Sequence, residues 1–354
     1  MLTDVFERRY KDRQLFTEVS QRELALIVQG FRMIDEQIFR YYTWEGKVDE
    51  KSKAIWTSLH DRLSMEIGVK ELSPQWYSYQ TEWMGKPHTN TGQNAMNFVV
   101  QQWMLTPFLP TYDADSFVKR RLSFIELAFR ERERQINELN AQLPAAIRQA
   151  EAEELLQRGR PGMRVPGSRV DGVRAFNATI NATFQANVHE LNERFRQAGM
   201  PLHYHNGFIQ ITADKQIGKQ VEEPFWVLVA DPKWVNVDTD MKEAIDRRDT
   251  GGRDPAFYAS KALESTIKII CTEKKWVTGK EKGASDYLNH LEAKANGPFV
   301  EPWERTMMQR LFSDVRNELG HGPGGDPMPN LSAQQTDFAI EFCMSWIKSL
   351  IKRL

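Results

Sequence analysis

The sequence predicts a mainly α protein: a helical N-terminal region, one small β-hairpin in the middle, and a C-terminal bundle of four to five helices. Three observations predict it. Apolar residues recur at helical spacing through most of the chain, as in Leu24, Ile27, Val28, Phe31, Ile34 and Ile38. Capping-box pairs open two of the stripes, Ser20 with Glu23 and Ser332 with Gln335. The strongest turn signal for paired strands is Asn206-Gly207, set between LHYH and FIQI.

Composition bounds what such a chain can do. Of 354 residues, 41% are apolar and 27% charged, a profile with enough apolar mass for a real core. The net charge of -1 gives no overall basic field, so nucleic acid would have to bind through local patches. Cys271 and Cys343 form no close-spaced pair, which argues against zinc or a redox motif and fits a reducing compartment. The charged start MLTDVFERRY resembles no signal peptide, and no long uncharged apolar run occurs. The expectation is a cytoplasmic protein with no membrane partner.

Taken in order, a helix follows Ser20 and a second covers Ala54 to Ile67, ending near Gly68. Leu72 to Thr91 reads as irregular. Its Trp76, Tyr77, Tyr79 and Trp83 suit either a binding surface or core packing under a long loop, and packing is favoured. Asp115 to Gln157 reads as one long helix, or two in line, interrupted only by Pro144. Its charges alternate in sign, which favours a solvated face over an RNA-binding stripe.

Residues 158–174, RGRPGMRVPGSRVDGVR, are the clearest linker, with glycine, proline and five arginines. Arg160, Arg164 and Arg169 are candidate phosphate contacts, set against the plainer reading of a solvated basic linker. A helix from about Ala175 to Gln197 and the hairpin follow, and PFWVLVADP is open between strand and buried helix. The last unit starts a helix at Asp254-Pro255, with Asp as cap and Pro in the first turn. Further helices cover Ala284 to Ala295 and the stretch from Glu301-Pro302 to Gly320, and a final one runs to the C-terminus. The expected division is 1–157 (sensor or regulatory), 158–174 (linker), 175–235 (helix and hairpin) and 236–354 (bundle).

The chemistry-bearing pattern is Arg316-Asn317-Glu318-Leu319-Gly320-His321. On an unbroken helix Arg316 and His321 would point about 140° apart. Gly320 can take the left-handed conformation that ends helices and let the chain turn back. Histidine moves protons near neutral pH, and arginine offers phosphate a permanently charged fork, a combination suited to phosphodiester cleavage without a metal. Asn317 is placed to orient the histidine or a hydroxyl. An arginine followed after four to six residues by a histidine is weak evidence alone, because Arg196 and His203 offer a second instance and an ordinary basic helix end explains it equally well. His203 and His205 share a strand face and lack a third metal ligand, so a polar strand face is favoured there. His60 and His88 stand alone.

The stretch DPAFYASKALESTIKIIC, the helix ending VRNELGHGPGG and the last amphipathic helix together resemble the C-terminal domain of abortive-infection proteins, part of the HEPN superfamily of helical bundles. Upstream, VKRRLSFIELAFRERERQI and HYHNGFIQI are similar to the N-terminal and middle parts of AbiJ-like phage-defence proteins, so the resemblance covers most of the chain. It implies a metal-independent endoribonuclease without cofactor, a toxin that leaves a 2′,3′-cyclic phosphate and a 5′-hydroxyl. It also implies a homodimer in which two Arg…His motifs form one cleft, and a phage-derived trigger. Arg316, Asn317 and His321 carry over as catalytic residues, and Glu264 matches a polar residue near the family's cleft. Lys268, one turn on, pairs with Glu264 or touches RNA; the two are equally an ordinary i, i+4 salt bridge. The competing reading is a catalytically silent HEPN scaffold for RNA binding or dimerisation.

Overall fold

A computed structural model describes residues 5–83, 86–158, 168–211, 218–297, 299–316 and 331–354. The chain divides into two compact units, Met1–Ile209 and Gln210–Leu354, with the boundary inside the second strand of the Asn206-Gly207 hairpin. The described residues are predominantly helical, with two separate two-stranded sheets.

The first unit is built on α5 (Ala114–Arg158), one 45-residue helix that runs through Pro144. Against its N-terminal half pack α1 (Phe6–Arg9), α2 (Gln21–Met33) and α3 (Glu50–Ile67), and α4 (Met96–Met104) packs on α3. The Ser20–Glu23 capping box starts α2, and Gly68 in the left-handed conformation (φ 74°) stops α3, both as the sequence predicts. Gly30 lets α2 approach α5 closely, since a Cβ there would stand 2.5 Å from Cδ1 of Ile125. Trp56 lies at the centre, stacked on Phe124 at 5.8 Å, with its indole N–H donating to the Phe39 carbonyl.

The charges in the N-terminal part of α5 correct the expectation of a solvated face, whereas farther along Arg134, Glu138, Arg148 and Glu151 are exposed as expected. Lys119, Arg121 and Glu126 are all buried. They are tolerated because each is matched by hydrogen bonds or by opposite charge. Lys119 donates to the carbonyls of Tyr10 and Arg13 and pairs with Asp115. Arg121 donates to the carbonyls of Met104, Trp103 and Phe117, so it caps the end of α4. Glu126, fully enclosed, is gripped by Arg9 and Arg130 and accepts the amide N–H of Ile209.

α6 (Arg169–Gln197) runs antiparallel along α5, joined by Glu154 accepting from Ser168 and Val170 and by an Asn140–Asn177–Asn181 cluster. Arg169 and Arg174 of the expected linker are therefore helical, while 159–167 lie outside the described residues. β3 (Leu202–His205) and β4 (Phe208–Ile211) form the hairpin at Asn206-Gly207, where both turn residues have positive φ (43° and 92°). A second hairpin replaces the irregular stretch expected near residue 80. β1 (Trp76–Trp83) pairs antiparallel with β2 (Lys86–Gln93), Trp76 opposite Gln93, and Trp76, Tyr77 and Tyr79 are exposed rather than packed beneath a loop.

The second unit is a helical bundle. PFWVLVADP resolves as helix: α7 (Glu223–Val229) buries Phe225 and Trp226. α8 (Val235–Thr250), α9 (Pro255–Glu273) and α12 (Ala333–Ile351) pack together, with α10 (Ala284–Glu292) and α11 (Pro302–Leu311) beside them. Their shared core includes Trp234, Met241, Leu263, Ile267, Leu288, Met308, Ile340 and Ile347. Pro255 opens α9 as predicted, but Asp254 does not cap it. Its backbone is left-handed (φ 57°) and its side chain makes no cap hydrogen bond. The predicted stripes on α11 and α12 are only partly buried, with Trp303, Met307 and Phe338 exposed.

Candidate active site

α9 is the central helix of the bundle, and it is anchored by one face. Ala259, Leu263, Ile267 and Ile270 sink into the core, so Glu264 and Lys268, one turn apart, come together at its edge. α11 arrives from a capping box at Glu301 and Glu304 and ends in a π-turn, Phe312–Arg316. Such turns widen a helix by one residue and often mark functional positions. This one packs on α9 and delivers Arg316 to it.

The result is a short chain of charges. Nη2 of Arg316 donates to one carboxylate oxygen of Glu264 at 3.1 Å, and Nζ of Lys268 pairs with the other at 2.8 Å. Glu264 is the buried member, with its side chain 8% exposed, while Arg316 and Lys268 keep 35% and 46% of theirs in solvent. A recessed carboxylate thus holds two cations that each keep part of their side chain in solvent. Arginine and lysine side chains placed side by side in this way can contact the oxygens of a phosphate.

Of the sequence-predicted residues, Glu264, Lys268 and Arg316 are brought together. Asn317 and His321, like Arg160 and Arg164, lie outside the described residues. Arg169 is in the first unit, where it pairs with Glu153. It stands at the rim of a cavity of about 580 Å³ lined by Leu143, Ala146, Val173, Phe176 and Ile180.

The Arg196–His203 pattern does not form a site of this kind. Arg196 is exposed and pairs with Glu193 of its own helix. Burial holds His203 down to about 3, so it is neutral and set for packing at ordinary pH. Among the described residues no group of three or more His, Cys, Asp or Glu side chains is placed to hold a metal ion.

One neighbour of this group, and one contact farther along the same helix, leave no signal in the sequence. The ring of Tyr287, on α10, has the Lys268 ammonium 5.6 Å from its centroid. On the same helix, Nε2 of His290 pairs with Glu281 at 2.8 Å. The carboxyl of Glu281 is pulled down to about 2, chiefly by the Thr278 amide N–H and further by the Thr278 hydroxyl and His290. No local motif announces either contact, because both join residues brought close by folding alone.

Comparison with known families decides the affiliation. The model of AbiJ N-terminal domain 4 matches residues 4–227, and that of a HEPN-like domain of abortive-infection type matches residues 235–354. The chain belongs to the AbiJ-like abortive-infection family. The HEPN-like match spans α8 to α12, so Glu264, Lys268 and Arg316 all fall within that domain of the AbiJ-like chain. No curated protein and no solved structure matches the chain. No helix among the described residues is long and apolar enough to cross a membrane.

Proposed function

We propose that this AbiJ-like chain is an anti-phage toxin whose HEPN-like domain is a metal-independent endoribonuclease acting as a homodimer in the cytoplasm. The observation that carries the reading is the Arg316–Glu264–Lys268 chain, a phosphate-ready pair of cations fixed by one recessed carboxylate. It adjoins in sequence the Asn317 and Gly320-His321 that supply the remaining chemistry.

In this reading the 2′-hydroxyl of the substrate ribose is the nucleophile. His321 moves a proton at that oxygen or at the departing one, depending on which side of the cleft it serves. The new bond joins O2′ to phosphorus, the P–O5′ bond breaks, and the leaving oxygen takes a proton. The products are a 2′,3′-cyclic phosphate and a 5′-hydroxyl. Arg316 stabilises the charge gathering on the non-bridging oxygens, Asn317 orients the histidine, and Glu264 positions the arginine. Lys268 contributes a phosphate contact, and Arg160, Arg164 and Arg169 are separate candidate RNA contacts. One chain supplies half of a cleft and its two-fold mate the other half. The helical region before residue 158 receives a phage-derived trigger.

The test is incubation of purified protein with total RNA in EDTA, wild type beside His321→Ala. Cleavage by the wild type, lost in the variant while its circular dichroism and melting are unchanged, is expected. Retention of RNA without cleavage would favour a silent scaffold, and cleavage restricted to added Mg²⁺ would overturn the mechanism.

A further inference from the structure

The Lys268–Tyr287 contact extends the site beyond its phosphate-binding part. Tyr287 is fixed from two sides. Its ring packs against the bundle core, and its backbone carbonyl accepts the Cys271 thiol at 3.6 Å, which ties α10 to α9. The neighbouring Leu288 and Leu291 are fully buried, so α10 has little freedom to move its tyrosine. The ring itself is half-buried, and the cation over it is Lys268. No other aromatic side chain among the described residues is in ring contact with it, whereas Phe299 lies beside Trp276 and Phe342 beside Trp346 elsewhere in the bundle. Arg316, Glu264, Lys268 and Tyr287 therefore form a continuous row, drawn from the end of α11, from α9 and from α10.

We propose that Tyr287 is an RNA-binding residue, the stacking platform for a nucleobase next to the phosphate held by Arg316 and Lys268. The inference rests on the ribonuclease reading of the same site. Lys268 is shared between the Glu264 carboxylate and the ring, and a phosphate at Arg316 adds a second full anion, which attracts the ammonium more strongly than the face of the ring does. Drawn toward phosphate, Lys268 leaves the tyrosine face, and a flat, rigidly backed aromatic surface becomes available beside the backbone it has just bound. Bases of single-stranded RNA stack on such surfaces, and every base has the face to do so. The stacked base therefore belongs to the nucleotide flanking the bound phosphate.

The experiment uses the full-length protein carrying His321→Ala, so that bound RNA stays intact. Short uridine-rich RNAs with a single 2-aminopurine at successive positions report stacking as fluorescence quenching. One position should be quenched on binding. Tyr287→Leu should remove that quench and weaken binding on the order of tenfold, and Tyr287→Phe should keep both. Absence of quenching at every position in the Tyr287 protein overturns the proposal without recourse to any variant. So does a quench that survives in Tyr287→Leu, or one that disappears equally in Tyr287→Phe. Cleavage of the same RNAs by protein with His321 intact, read in parallel, separates the two ideas. Cleavage with no Tyr287-dependent quench removes the stacking residue alone. A Tyr287-dependent quench without cleavage removes the ribonuclease reading and leaves the base platform standing.

Discussion

Glu264 shows what residue-scale reading can and cannot reach. Its i, i+4 relation to Lys268 is visible in the sequence and predicts the ion pair seen at 2.8 Å. Its bond to Arg316 spans 52 positions and depends on where a π-turn drops the arginine, which no spacing rule reveals. Arg316 itself was legible as a candidate, and Tyr287 was not, because a contact between α9 and α10 leaves no mark in either helix's own pattern. The Arg196–His203 pair shows the converse. The spacing alone was matched there, and folding turned the arginine to Glu193 and the histidine to packing. If Glu264 positions Arg316 by charge, Glu264→Gln keeps a hydrogen-bond acceptor and loses the grip. Cleavage should then fall at least about tenfold in kcat, with KM changed far less, as for an interaction tightened in the transition state. An unchanged kcat in steady-state assays would reduce Glu264 to an ordinary salt-bridge partner.

Elements with a buried face were the readable ones. α5 was legible as a continuous helix because Pro144 is the sole breaker in it, and the Asn206-Gly207 hairpin because its turn demands two positive φ angles. The Trp76–Gln93 hairpin was not, since its strands have no face against the core. Aromatic and polar residues are mixed on both sides, and the period-two contrast that marks a half-buried strand is absent. The charge on the N-terminal part of α5 was misjudged for a related reason: alternating charge marks solvent only if nothing folds over it, and α1, α4 and the β3–β4 hairpin do.

Glu222, where a π-turn passes into α7, is a buried charge of another kind. Burial lifts its carboxyl to about 7, opposed by nearby Arg248 and reinforced by Asp249, Glu341 and Glu223. An unfolded glutamate ionises near 4.5, so between 4.5 and 7 the folded protein holds this proton more tightly than the unfolded chain. Stability is therefore lost as pH rises through that window, and the deficit is complete above 7. Glu222→Gln should leave the melting temperature unchanged at pH 4 and raise it at pH 8, by a free energy on the order of 1–3 kcal/mol. A variant that melts lower than wild type at pH 8 would show that the Arg248 pairing outweighs burial.

For the molecule as a whole, the sequence supplied the class, a mainly helical protein with a C-terminal bundle, and the resemblance supplied the family that the two domain matches bear out. Chain texture carried far at this scale because the AbiJ-like resemblance draws on many weak features at once, where a single site draws on few. The account's central claim is that the bundle's Arg316–Glu264–Lys268 row serves RNA cleavage with His321. It is tested most directly by sequencing RNA ends in cells after induced expression of the wild type and of His321→Ala. The account predicts new 2′,3′-cyclic phosphate and 5′-hydroxyl ends, with growth arrest, in the wild type alone. The same ends in both strains, or wild-type ends bearing 5′-phosphate and 3′-hydroxyl, would contradict it.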